Sequence, residues 1–151
     1  MKRLFLLLFL LAALGVNAQQ KTTKPAATNA VPKIWVAIGG FKGGNITQDL
    51  LSRAVDSAVV VRDDKGNTYP VIRYRVFYKF KSSYSDPETG QTKIVNDMRV
   101  NDFTEPVMSQ NWRESIKDNI SKGDEMIIDE IIVRLKDGKK MMAPAMSFKV
   151  I

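Results

Sequence analysis

The chain has no cysteine and no histidine in its 151 residues. Without thiols the fold cannot be held by disulfides, and neither a cysteine nucleophile nor a thiolate metal site is available. Without imidazole the chain lacks the usual general base near neutral pH and the commonest metal ligand. Serine–histidine and cysteine–histidine catalysis are excluded together. Long apolar runs are also scarce. Beyond Leu14 none approaches the roughly 20 residues that a membrane-spanning helix needs.

The first residues have a different character. Met1-Lys2-Arg3 is a positive start, Leu4 to Leu14 is almost unbrokenly apolar, and Gly15-Val16-Asn17-Ala18 ends the run on a small residue. That order of parts predicts a secretory signal peptide over 1–18, cleaved after Ala18. The apolar run is too short for a spanning anchor, and no cysteine follows it to carry a lipid. The expected location is therefore periplasmic or secreted. Lys21 to Ala30 carries no large apolar residue, so residues 19–32 read as a flexible linker. Residues 33–151 read as a single β-rich domain. The formal charge of +7 would fall to +5 on losing Lys2 and Arg3. Such a balance favours acidic partners, and it is also ordinary for a lysine-rich surface.

Within the domain, Ile34 to Ile38 is a short β-type run that ends in Gly39-Gly40-Phe41-Lys42-Gly43-Gly44. Four glycines in six positions predict turns with unusual backbone angles. Asn45 or Thr47 can cap a short helix through Ala54, and Ala58 to Val61 is the next strand, ended by an Asp63-to-Asn67 turn. The clearest pattern runs from Val71 to Lys81. Ile72, Tyr74, Val76, Tyr78 and Phe80 alternate with Arg73, Arg75, Phe77, Lys79 and Lys81. Period-two alternation puts the first set on a core and the second in solvent. Its length, about 11 residues against a usual 5–6, points to a sheet edge or a bent ribbon. Ser82 to Gly90 reads as a polar loop, and Lys93 to Phe103 as a weaker strand or two with Ile94, Val95, Met98 and Val100 as apolar members.

One principal helix is expected over about 105–121, with Met108, Trp112, Ile116 and Ile120 on one face and Thr104 as its cap. Gly123, beside Asp124, is its expected left-handed stop. Glu125 to Leu135 is a dense strand with apolar residues of both parities, which predicts a central strand covered on both faces. Asp137-Gly138 is a turn, and Met146, Phe148 and Val150 share one face of a closing strand. The fold class is therefore α+β, a mainly antiparallel twisted sheet or sandwich with one main helix.

Few motifs carry chemistry. The Gly39–Gly44 segment fits neither a Walker loop nor a dinucleotide fingerprint, so it reads as structural turns. Asp63, Asp64, Asp86, Glu88, Asp97 and Asp102 are scattered without the alternate spacing of a calcium loop. Residue types alone leave a carboxylate pair open, but nothing in the spacing indicates one. No cofactor or metal site is expected. The candidate interaction surface is Arg73, Arg75, Phe77, Lys79 and Lys81, with Trp35 beside it. Met141 and Met142 are further candidate anchors, and Trp112 belongs to the helix stripe. Cations around an aromatic ring can bind single-stranded nucleic acid, but export argues against that ligand.

The C-terminal half resembles a known family. Its marks are Ile120-Ser121-Lys122-Gly123-Asp124, Met126-Ile127-Ile128-Asp129-Glu130-Ile131, Val133 to Lys139 with Asp137-Gly138, and Ala143-Pro144-Ala145-Met146-Ser147-Phe148-Lys149-Val150. Their order resembles the C-terminal domain of the gliding-motility protein GldM and its relative PorM, of the type IX secretion system of Bacteroidetes. Pro32, the paired glycines and the strand ending near Phe80 are similar to the start of that domain, so the likeness covers most of 32–151. GldM is long and membrane-anchored; this chain has one domain behind a cleavable leader. The resemblance implies a free-standing, non-enzymatic module that docks to envelope or secretion-system proteins, with no motor role. The alternative is a cell-wall or carbohydrate-binding domain using the basic strand 71–81; a carboxylate-based hydrolase ranks below both.

Overall fold

Alternation of apolar and polar residues sets most of the chain as strands, and the glycine pairs set where they turn. The computed structural model describes residues 32–151. The expected leader and all of the expected linker except Pro32 lie outside the described residues. The elements in chain order are β1 (Ile34–Ile38), β2 (Gly44–Ile46), α1 (Gln48–Ala54), β3 (Val59–Asp63), β4 (Thr68–Tyr69) and β5 (Val71–Ser85). They continue with β6 (Thr92–Phe103), α2 (Gln110–Asn119), β7 (Glu125–Arg134), β8 (Lys140–Met142) and β9 (Met146–Val150).

Two sheets form. The smaller runs β1-β3-β4, antiparallel throughout. The larger runs β2-β9-β7-β5-β6, with β8 also beside β7. Among the described residues only the short β2–β9 pairing is parallel. One core joins the sheets: Val36, Ile38, Val59 and Val61 from the first, and Tyr74, Val76, Tyr78, Met126, Ile128 and Phe148 from the second. Leu51 and Ala54 of α1 and Ile116 of α2 complete it. Each fully buried large side chain contributes about 1.5–3 kcal/mol. This is an α+β fold with a sandwich-like arrangement.

Several expectations change in detail. The strand β5 is not an edge. It lies between β7 and β6, and it runs to Ser85 through residues read as loop. Thr92 to Phe103 is one strand, paired with β5 from Tyr74↔Phe103 to Ser85↔Thr92. The β5–β7 pairing stops at Lys79↔Glu125, so the far half of the β5–β6 hairpin is a two-stranded ribbon.

The strand β7 is central but not covered on both faces. Met126 and Ile128 are buried, then Ile131 and Val133, while Ile127 and Ile132 are only half-buried. The inward parity switches at Asp129-Glu130. Glu130 has φ 48°, and the β5 register shifts twice between Val71 and Arg75 opposite it. A bulge of this kind re-aims the side chains that follow. Val71 packs against the core in its wake, whereas the alternation had given that place to Ile72.

The principal helix is present but begins at Gln110, not near Glu105. The Pro106 carbonyl accepts from Val59 N–H at 2.8 Å and from the Tyr74 hydroxyl at 3.3 Å. It is thereby spent on the sheets and cannot start a helical turn. Ser109, not Thr104, is the cap residue, and its side chain makes no capping bond. The apolar stripe lies as its spacing predicts. Met108 and Ile116 are buried, Trp112 and Ile120 pack against the core, and Trp112 meets Phe103 edge-on at 5.7 Å.

Candidate interaction surface

The basic side chains of β5 do point away from the core, but neighbouring strands supply carboxylates to most of them. Arg75 Nε donates to Asp102 of β6 at 2.9 Å, and its Nη1 donates to Glu130 of β7 at 2.7 Å. Arg73 donates to the same Glu130 at 3.0 Å, and Lys79 to Glu125 at 3.0 Å. The Arg75 bonds hold the Asp102 carboxyl below its ordinary range, and Asp102 in turn raises Arg75. Lys81 stands exposed across from Asn96. A face read as a cationic stripe is thus largely an ion-pair lattice, each exposed pair of which stabilises by about 0–1 kcal/mol.

Phe77 belongs to a different feature. It is half-buried on that outer face, with Val100 of β6 opposite on one side and Ile127 of β7 on the other. Val100 is 45 % exposed, Met98 51 %, Val95 38 % and Ile94 72 %. These four side chains sit on β6, which pairs only with β5 among the described residues. A strand at the end of a sheet offers a row of backbone donors and acceptors to an incoming strand. Here that row is 12 residues long and flanked by uncovered apolar side chains. Charge does interrupt it, at Lys93, Asp97, Arg99 and Asp102. The Arg99 guanidinium lies 5.1 Å from the Phe80 ring centroid and donates to the Ser115 hydroxyl of α2.

A hollow of about 340 Å³ opens where β7 begins and the β5–β6 ribbon continues. It is lined by Lys79, Phe80, Lys81, Asp97, Met98 and Asp124 among others. Two of its three carboxylates are engaged by other elements, and the third, Asp97, accepts among the described residues only from the Met98 N–H of its own strand, at 2.7 Å. Asp124 accepts from the Tyr78 hydroxyl at 2.6 Å and from Ser121 N–H at 2.8 Å, and Glu125 holds Lys79. Burial, with the bond to Asp124, raises the Tyr78 hydroxyl well above its ordinary pKa. Among the described residues no group of three Asp or Glu side chains is placed to share a metal ion.

Trp35 lies at the other sheet. It faces Arg62 across β1–β3, and Lys42 Nζ stands 3.9 Å from its ring centroid. Trp35 and Arg62, with Ala37, Gly39, Gly40 and Val60, line a shallow hollow of about 260 Å³. Trp35 therefore does not join the β5 surface. Met141 is half-buried against the core, and Met142 is exposed. The turn residues have positive φ: Gly39 56°, Gly40 87°, Gly43 108°, Gly44 95°, Gly123 96° and Gly138 84°. A Cβ at Gly39 would meet Ala54 Cα at 2.8 Å, and one at Gly43 would meet the Ser147 carbonyl oxygen at 2.8 Å. Gly123 and Asp124 lie in the turn into β7, where Gly123 N–H donates to the Val150 carbonyl at 2.9 Å.

Ile94, Val95, Met98 and Val100 are recognisable as the apolar members of β6 from sequence, but their exposure is not. Their signal was a pattern that fails to alternate cleanly, with apolar residues at both parities and polar ones between. The sequence matches no protein-family model and no curated protein.

Proposed function

We propose that this chain is a non-catalytic protein-interaction module of the bacterial envelope, and that it engages its partners through the β6 edge. The observation that carries this reading is the open strand Thr92–Phe103 with Ile94, Met98 and Val100 exposed along it. An uncovered edge of that length accepts an added strand through backbone hydrogen bonds, and exposed side chains select the partner. The chain has no imidazole or thiol to offer chemistry, and its ion-paired carboxylates are occupied. The leader pattern supports a periplasmic or secreted location. The likeness of residues 32–151 to the GldM and PorM C-terminal domains supports a partner among secretion or gliding components. The cell-wall or carbohydrate reading rested on the basic strand, and Arg73, Arg75 and Lys79 each already hold a carboxylate.

Cross-linking in intact envelopes tests the proposal. Wild-type protein is expected to capture the same envelope protein reproducibly, and Met98→Lys/Val100→Lys is expected to lose it. Equal capture by both forms would refute the edge as the binding surface. Co-sedimentation of the purified protein with cell wall, unaffected by those substitutions, would favour the alternative.

A further inference from the structure

We propose that β6 is a self-complementary edge, which pairs antiparallel with the β6 of a second copy of this chain about a two-fold axis through Met98. The inference rests on the reading of β6 as a docking edge and adds a second copy of the chain as an occupant that competes there with the envelope protein.

A two-fold axis perpendicular to a sheet keeps each face on its own side, so residues brought opposite one another must share parity. With the axis at Met98, each Asp97 falls opposite the partner's Arg99, twice over, and each Asn96 opposite the partner's Val100. Asp97 and Arg99 are exposed and lie on the same face of the strand. Arg99 is positioned at the edge by Phe80 and Ser115. Opposite charges directly across an antiparallel pair stabilise it, and like charges destabilise it. That rule selects the register. Moving the axis to Asp97 sets Asp97 against itself, moving it to Arg99 sets Arg99 against itself, and moving it to Asn96 sets Lys93 against Arg99. An axis at Val95 would pair Asp97 with Lys93 but leave Arg99 opposite Gln91, and one at Val100 would leave both Asp97 and Arg99 opposite uncharged residues; the Met98 axis pairs Asp97 and Arg99 together.

The other face gains as well. Met98 falls opposite the Met98 of the second copy on the outer face, with Val100 diagonal to it; Phe77, opposite Val100 on β5, stands one strand behind the seam. The ribbon half of β5–β6, which has no third strand, gains one. The ends match less closely: Ile94 falls opposite Asp102, whose carboxylate Arg75 already holds.

The absence of cysteine makes the register directly testable. Met98→Cys is expected to form a disulfide-linked dimer under mild oxidation. Asn96→Cys is expected not to, because its two copies stand four residues apart, about 13 Å, beyond disulfide reach. In sedimentation equilibrium, Asp97→Arg and Arg99→Asp are each expected to weaken self-association at least ~10-fold, and the double exchange to restore it. Thermal melts confirm that each variant folds. A wild-type protein that is monomeric at every concentration would overturn self-pairing, as would Asn96→Cys linking as readily as Met98→Cys. Monomers whose β6 still captures an envelope protein would refute this register and leave the docking edge standing. Monomers with no edge-dependent capture would refute both.

Discussion

Asp124 is 2 % exposed, and its carboxylate is held by the Tyr78 hydroxyl and the Ser121 amide. Removing one donor strands part of a buried acceptor, which costs about 1–3 kcal/mol. Tyr78→Phe should therefore lower the unfolding free energy measured in urea by that amount, through a lower midpoint with little change in slope, because the ring itself is kept. Asp63 is a second buried carboxylate. Its oxygens accept from Lys65 N–H, from Asn67 through backbone and side chain, and from the Tyr69 hydroxyl. The Asn67 side chain leads in pulling its pKa down to about 2. A depressed carboxylate stabilises the fold above its unfolded pKa of about 3.9, and that stabilisation fades as pH falls toward the folded value. Asp63→Asn should thus melt lower than wild type at pH 6, with the gap closing between about pH 4 and pH 2. At Gly43 the backbone has φ 108° and a Cβ would strike Ser147, whereas at Gly90 (φ 65°) nothing lies within 4 Å. Gly43→Ala should cost more than the ~1 kcal/mol expected of Gly90→Ala, as measured by denaturant titration.

At the scale of elements, strong local patterns were legible and long-range claims on the backbone were not. The β5 alternation and the α2 stripe follow from periodicity, because each buries one face against a common core. The start of α2 does not, because Pro106 gives its carbonyl to β3, a strand some fifty residues earlier in the chain. Two cap residues make the same point energetically. Thr47 Oγ1 accepts from Leu50 N–H at 3.4 Å, whereas Ser109 makes no such bond. Ser109→Ala should be close to neutral in thermal stability, and Thr47→Ala should lose up to about 1 kcal/mol. The bulge at Asp129-Glu130 was illegible for a related reason. A parity switch and a doubly covered strand give the same apolar composition, and only the pairing with β5 separates them. Lone charges on β5 were likewise read without Asp102, Glu125 and Glu130, which are brought beside them by strands 27 to 57 positions away in sequence.

For the whole molecule, the two sheets bury one side of each and leave the larger sheet with an open end at β6. The apolar residues there were visible in the sequence, but their exposure depends on strand order, which composition does not encode. That edge is proposed as the place where the protein meets others. Site-specific photo-cross-linking in the producing cells tests it most directly, with the reactive side chain placed at Met98 or Val100 and, as controls, at Asn45 of β2 or Lys65 of the β3–β4 turn. Discrete cross-linked species from positions 98 and 100, and none from 45 and 65, are the predicted result. No species from 98 and 100, or the same species from all four positions, would contradict it.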